Sequence, residues 1–172
     1  MNKIANHVKN NLAIYLVLLA VLVIFLIIKF IPKEEKSNYD TSMFNVVELK
    51  DADQLFQDGV NKVLFIGREG CSACEYFLPI LQISMAKYHF YVSYLDINNL
   101  DYKSEDYKNF IKYLDYTYTL QGKTAEFSDF MGNTPMFIII KNNKMVYGYI
   151  GTMTEASIEA MITLYGISYD NQ

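Results

Sequence analysis

Residues 63–79 read Val63-Leu64-Phe65-Ile66-Gly67-Arg68-Glu69-Gly70-Cys71-Ser72-Ala73-Cys74-Glu75-Tyr76-Phe77-Leu78-Pro79, and this stretch decides the fold. Its first four residues are a continuous apolar run ending at a glycine, as in a strand covered on both faces. From Cys74 onward Phe77, Leu78, Leu81, Met85 and Tyr88 recur at helical spacing, so a helix follows the strand. Cys71 falls at or just before the start of that helix and Cys74 in its first turn. A thiol attacks a disulfide as the thiolate, and the free N–H groups and dipole at a helix N-terminus favour an anion, which makes Cys71 the better nucleophile. Cys74 is turned toward the core by the same apolar stripe and is placed to resolve a mixed disulfide by attacking Cys71.

Outward from this segment, residues 44–49 read as a strand and residues 51–58 as a short helix ending at Gly59. Residues 90–97 form another strand. Residues 136–140 and 145–150, joined at Asn142-Asn143, make a hairpin, and residues 154–165 a closing helix. Helix-length connections between the early strands imply parallel crossovers, while the short Asn-Asn turn forces an antiparallel pair. The fold class is therefore α/β, a mixed sheet with helices on both faces. Residues 98–133 form an insertion in which Tyr107, Phe110, Ile111, Leu114 and Tyr118 make one helical stripe, with Lys108, Lys112 and Asp115 off it. Such a stripe packs on the sheet; Tyr102, Tyr113 and Tyr116 leave a partner-binding role open as well.

A chain of 172 residues holds one domain and a short additional segment. A net charge of -4 offers no basic surface to phosphates, which argues against nucleic acid as a partner. Two cysteines are too few for a disulfide framework, so their C-x-x-C spacing carries the meaning: dithiol chemistry or half of a metal site. A metal is disfavoured, because no other cysteine exists, His7 lies beyond the apolar N-terminal segment and His89 alone cannot complete a ligand set. Residues 1–11 are a short tail carrying Lys3 and Lys9. Residues 12–31 form an apolar run, interrupted by Lys29 alone, that is long enough to cross a hydrocarbon core as a single-pass membrane anchor. The competing reading, a cleavable signal peptide, lacks a small-x-small cleavage site. The polar residues 32–43 read as a linker, leaving residues 44–172 as the domain. Lys29 near the end of the run and Lys33 and Lys36 after it stand against the flanking-charge rule for an external domain. A short basic N-terminus before an apolar run nevertheless has the form of a signal-anchor, and long domains cross largely regardless of nearby charge, so the domain is expected on the extracytoplasmic side.

These features together resemble the thioredoxin superfamily over most of residues 44–166. Beyond Cys71-Ser72-Ala73-Cys74 after a buried strand, Pro79 lies five residues past Cys74, Thr134-Pro135 precedes the strand at 136–140, and the hairpin closes at Gly151. The resemblance implies a thioredoxin-like fold and a thiol–disulfide oxidoreductase with Cys71 and Cys74 as its catalytic pair. It further implies a cis bond at Pro135, with Thr134 and Pro135 holding an extended substrate through free backbone groups. No cofactor is implied beyond the redox-active Cys71–Cys74 disulfide. The partners implied are protein or peptide thiols and disulfides, together with a redox partner that recycles the pair.

The departures are specific. Gly70 stands where many thioredoxins carry a tryptophan, and Phe65 occupies the position of their buried acid, so the usual proton-transfer carboxylate is missing. Ser72-Ala73 replaces the Gly-Pro of reducing thioredoxins. Glu69 and Glu75 flank the motif and raise a thiol pKa if close, whereas Arg68 lowers it. An anchored thioredoxin-like chain with such an insertion is similar to the bacteriocin-transport accessory group of Gram-positive bacteria. Two functions stay open: a membrane-tethered oxidoreductase acting on exported or cell-surface proteins, and a non-catalytic binding or assembly module for a peptide exporter. An exposed, reactive Cys71 beside an open groove favours the first and a buried pair the second.

Overall fold

The computed structural model describes residues 12–30 and 39–172, and the chain divides into two compact units, Met1–Lys36 and Ser37–Gln172. In the first unit, helix α1 (Leu12–Phe30) runs for 19 residues. Its described side chains, at residue 14 and residues 16–26, are all exposed. Among the described residues no helix is long and apolar enough to cross a membrane. Ile31, the tail and most of the sequence-defined linker lie outside the described residues.

The second unit is built on a five-stranded sheet in the order β1-β3-β2-β6-β7. Strands β1 (Asn45–Val46), β2 (Lys62–Gly67) and β3 (Ser93–Asp96) run parallel, while β6 (Met136–Lys141) and β7 (Lys144–Ile150) add antiparallel ladders beyond β2. With helix α2 (Ser72–Tyr88) crossing from β2 to β3 and α4 (Glu155–Tyr165) closing the chain, this is a mixed α/β, thioredoxin-like fold.

The alternation of β2 explains why both faces are covered. Val63 and Phe65 point into a cluster with Phe77, Leu78 and Leu81 of α2 and Ile158 and Ile162 of α4. Leu64 and Ile66 point the other way, against Ala52, Leu55 and Phe56 of a 3-10 helix (Leu49–Phe56) and Phe110 of α3 (Glu105–Phe110). Successive strand side chains face opposite sides, so an unbroken apolar run is what a central strand requires. The β6–β7 turn uses Asn142 and Asn143 at φ 52° and 63°, the two left-handed positions that a two-residue hairpin needs. Thr154 caps α4 by accepting from the Ser157 N–H at 3.2 Å.

Four sequence expectations need correction, the first being the strand expected over residues 90–97, which is cut to Ser93–Asp96. The strand expected over residues 44–49 is cut to Asn45–Val46, because the chain turns into the 3-10 helix at Leu49. The boundary expected at Phe44 moves back. Tyr39 already packs its ring edge-on against Tyr94, centroids 6.0 Å apart, and the Asp40 carbonyl accepts from the Gln82 side chain at 2.7 Å. The insertion is also less helical than its stripe suggested. Phe110 and Leu114 are buried as the stripe requires, but α3 ends at Phe110 and Tyr118 lies in strand β4 (Thr117–Leu120), paired with β5 (Lys123–Glu126). The alternation of Thr117, Tyr118, Thr119 and Leu120 ahead of Gln121-Gly122, at φ 50° and 82°, is a hairpin signal that a helical count through Tyr118 overrides.

The insertion is seated on the sheet rather than standing off it. Phe127 is fully buried and crosses Gly148 of β7, where an added Cβ would lie 2.6 Å from the Phe127 ring and also against the Met145 methyl. Gly148→Ala should therefore lower stability by about 1–3 kcal/mol, the range for overpacking a tight core. Chemical denaturation of the wild type and the variant measures this; equal midpoints would show that Phe127 yields freely.

Candidate active site

The bend between β2 and α2 places the two thiols. Gly70 takes φ 74°, a left-handed conformation that leaves a side chain strained, and turns the chain into Cys71. Cys71 has extended backbone (φ -99°, ψ 106°) and is the N-cap of α2. Its sulfur stands where a capping oxygen normally stands and accepts from the Cys74 N–H at 3.3 Å. Cys74 is one turn into the helix and fully buried, while Cys71 is half-exposed; both are free thiols. Pro79 lies inside α2, where its missing N–H leaves one helical hydrogen bond unmade.

Across from the motif, the Thr134–Pro135 bond is cis and leads directly into β6. The Thr134 hydroxyl donates to the Cys71 sulfur at 3.3 Å, and the Cys71 thiol lies 3.6 Å from the Thr134 carbonyl as donor. Thr134, 63 residues from Cys71 in sequence, is thus brought against its sulfur, with Pro135 next to it across the cis bond. The segment from Phe130 to Thr134 that delivers them is braced by Asn133, whose backbone and side-chain N–H groups both donate to the Phe130 carbonyl.

The electrostatics separate the thiols. Burial opposes the Cys71 thiolate, but hydrogen bonds from the Cys74 thiol, the Thr134 hydroxyl and the Cys74 and Ala73 amides outweigh it and hold Cys71 below its ordinary range. Burial, followed by the neighbouring Cys71, pushes Cys74 up to about 11. The flanking charges contribute less than their sequence positions suggested. Arg68, Glu69 and Ser72 are exposed and Ala73 and Glu75 half-buried, and none of the charged side chains is among the main influences on Cys71. Arg68 acts through its backbone amide, which hydrogen-bonds the Cys74 sulfur.

Two side chains that sequence reasoning left out complete the surroundings. Phe65 stacks tilted on Tyr94 at 5.3 Å, and the Tyr39 hydroxyl donates to the Tyr94 hydroxyl at 3.0 Å. Both phenols are raised, first by burial and also by the nearby Cys74 sulfur, Tyr94 to about 12. The signal was present as a tyrosine surplus, 15 in 172 residues, but Tyr39 lies in a polar stretch that looks like linker.

A half-exposed thiol with a lowered pKa beside a buried, raised one can form, and then release, a mixed disulfide. Because the thiolate is the reactive form, a lowered pKa keeps Cys71 reactive toward lower pH. Iodoacetamide labelling of the reduced chain should modify Cys71 with a pH midpoint below the ordinary thiol value of about 8.5, and leave Cys74 unlabelled at neutral pH. Site-resolved mass spectrometry reads both rates; equal rates, or a slower Cys71, would contradict the geometry.

No protein-family model matches the chain, and no curated protein matches it either. Among solved structures it is similar to reduced thioredoxin pre-protein from Schistosoma mansoni, with 21% identity, 70% of this chain and 98% of that one covered, and a TM-score of 0.46. It is also similar to oxidised mitochondrial thioredoxin 3 from Saccharomyces cerevisiae, with 14% identity, 71% and 95% coverage, and a TM-score of 0.48.

Proposed function

We propose that this chain is a membrane-tethered thiol–disulfide oxidoreductase that exchanges disulfides with exported or cell-surface proteins through Cys71 and Cys74. The observation that carries the reading is the inequality of the thiols: one half-exposed, capping a helix and hydrogen-bonded to Thr134, the other buried and raised. An inert pair has no need of it, which sets the binding-module reading second.

In the reducing direction, the Cys71 thiolate attacks one sulfur of a substrate disulfide, forming a mixed disulfide and expelling a substrate thiolate. Cys74 then gives up its proton and attacks the Cys71 sulfur. The mixed disulfide breaks, the second substrate thiol departs protonated, and the Cys71–Cys74 disulfide holds the two electrons' worth of oxidation. The oxidising direction is the same sequence reversed, and a separate dithiol or disulfide partner resets the pair. Thr134 and Pro135 line the approach to Cys71, and an extended substrate chain pairs with the backbone there. Residues 12–31 form the anchor. The unbroken apolar composition of residues 12–28 and the exposure of every described side chain in α1 support this, since so large an apolar surface calls for a partner such as lipid. The domain stands on the extracytoplasmic side, as in the anchored bacteriocin-transport accessory proteins that the sequence resembles.

Replacing Cys74 with Ala in the intact chain removes the resolving step. Cells carrying Cys74→Ala should accumulate mixed disulfides on Cys71 with exported or surface proteins, visible as adducts that collapse on reduction. Adducts confined to cytoplasmic proteins would overturn the orientation, and the absence of adducts would overturn the oxidoreductase reading.

A further inference from the structure

The resolving step requires Cys74 to become a thiolate in a site where burial holds its proton. Phe65 provides no polar group there. What the fold supplies instead is a pair of phenols. Tyr94 belongs to β3, directly paired with Phe65 of β2, and is 3% exposed, within the same buried cluster as Cys74 and Phe77. Tyr39 enters from the segment before β1 and sets its hydroxyl against the end of β2: an added Cβ on Gly67 would lie 2.7 Å from that oxygen. The next residue, Arg68, is the one whose amide hydrogen-bonds the Cys74 sulfur. The Tyr39 hydroxyl, and through it that of Tyr94, thus lies beside the end of β2, one residue before the amide that meets the buried thiol.

The hydrogen bond between them has a direction. Tyr39 donates to Tyr94, and among the described residues this is the one hydrogen bond of the Tyr94 hydroxyl. Its own proton is therefore uncommitted, in a place where a buried hydroxyl gains from finding an acceptor.

We propose that Tyr94 donates a hydrogen bond to the Cys74 sulfur as it becomes a thiolate in the resolving step, and that Tyr39 is the positioning residue that orients Tyr94 for it. The inference rests on the exchange chemistry proposed above. The phenols stay neutral throughout. The proton of Cys74 passes to the departing substrate thiolate, the Cys71–substrate bond breaks, and the Cys71–Cys74 bond forms. A neutral donor stabilises the thiolate without taking its proton, the role opposite to that of a buried carboxylate. A Cys74 anion in turn favours the protonated phenols, which keeps them donors. The other groups facing this site are Cys71 and the Thr134 hydroxyl at the sulfur, with Asp96 of β3 and Glu69 acting on the phenols.

The test uses the reduced full-length chain with one equivalent of 5,5′-dithiobis(2-nitrobenzoate). Capture by Cys71 releases the first thionitrobenzoate and attack by Cys74 releases the second. Tyr94→Phe should slow the second release about tenfold at neutral pH and move its pH midpoint up by about one unit, with the first release unchanged. Tyr39→Phe should do the same to a smaller extent, and it decides the matter if Tyr94→Phe does not fold. A second release with wild-type rate and pH profile in the folded variants would overturn the inference and leave the exchange reading standing. A wild-type chain that releases only the first equivalent would overturn both.

Discussion

The structure depends on one capping interaction, the Cys71 sulfur receiving the Cys74 N–H at the start of α2. The first turn of any helix carries N–H groups without partners, and a capping atom that accepts one of them is itself drawn toward negative charge. Here that atom is a thiol, so the same contact that begins the helix also prepares a nucleophile. Everything that fixes the helix start, namely the β2 run, the Gly70 turn and the apolar face of α2, also fixes the reactivity of Cys71.

The second thiol follows from the first. Three residues of helix carry Cys74 about 100° per residue round the axis, onto the side that Phe77, Leu78 and Leu81 turn to the core. Burial then raises its pKa, while the half-exposed Cys71 sulfur faces Thr134. Thr134 matters because it reaches across from another part of the chain: the approach of β6 to β2, in register from Met136 opposite Ile66, brings it to the sulfur.

Much of this was legible in the sequence because it is local. The apolar run at Val63, the helical stripe behind Cys74, the Asn142-Asn143 turn and the closing helix from residue 154 each follow from residues within one turn or one strand of each other. The Thr134–Cys71 contact was legible only by resemblance, since no local pattern reports a neighbour 63 residues away. Tyr39 was missed for a related reason. Its polar surroundings make it look like linker, and only its hydroxyl partner across 55 residues shows otherwise. Tyr118 was misplaced because its spacing from Leu114 suits a helix as well as its alternation suits a strand, and the Gln121-Gly122 turn settles it in favour of the strand.

A working Cys71–Cys74 redox pair must come to equilibrium with glutathione buffers, in which the full-length chain can be titrated. The expected result is a single two-electron transition between the dithiol and an intramolecular Cys71–Cys74 disulfide, with glutathione adducts on Cys71 only as a minor species. Adducts persisting on Cys71 with no intramolecular disulfide at any buffer ratio would contradict it.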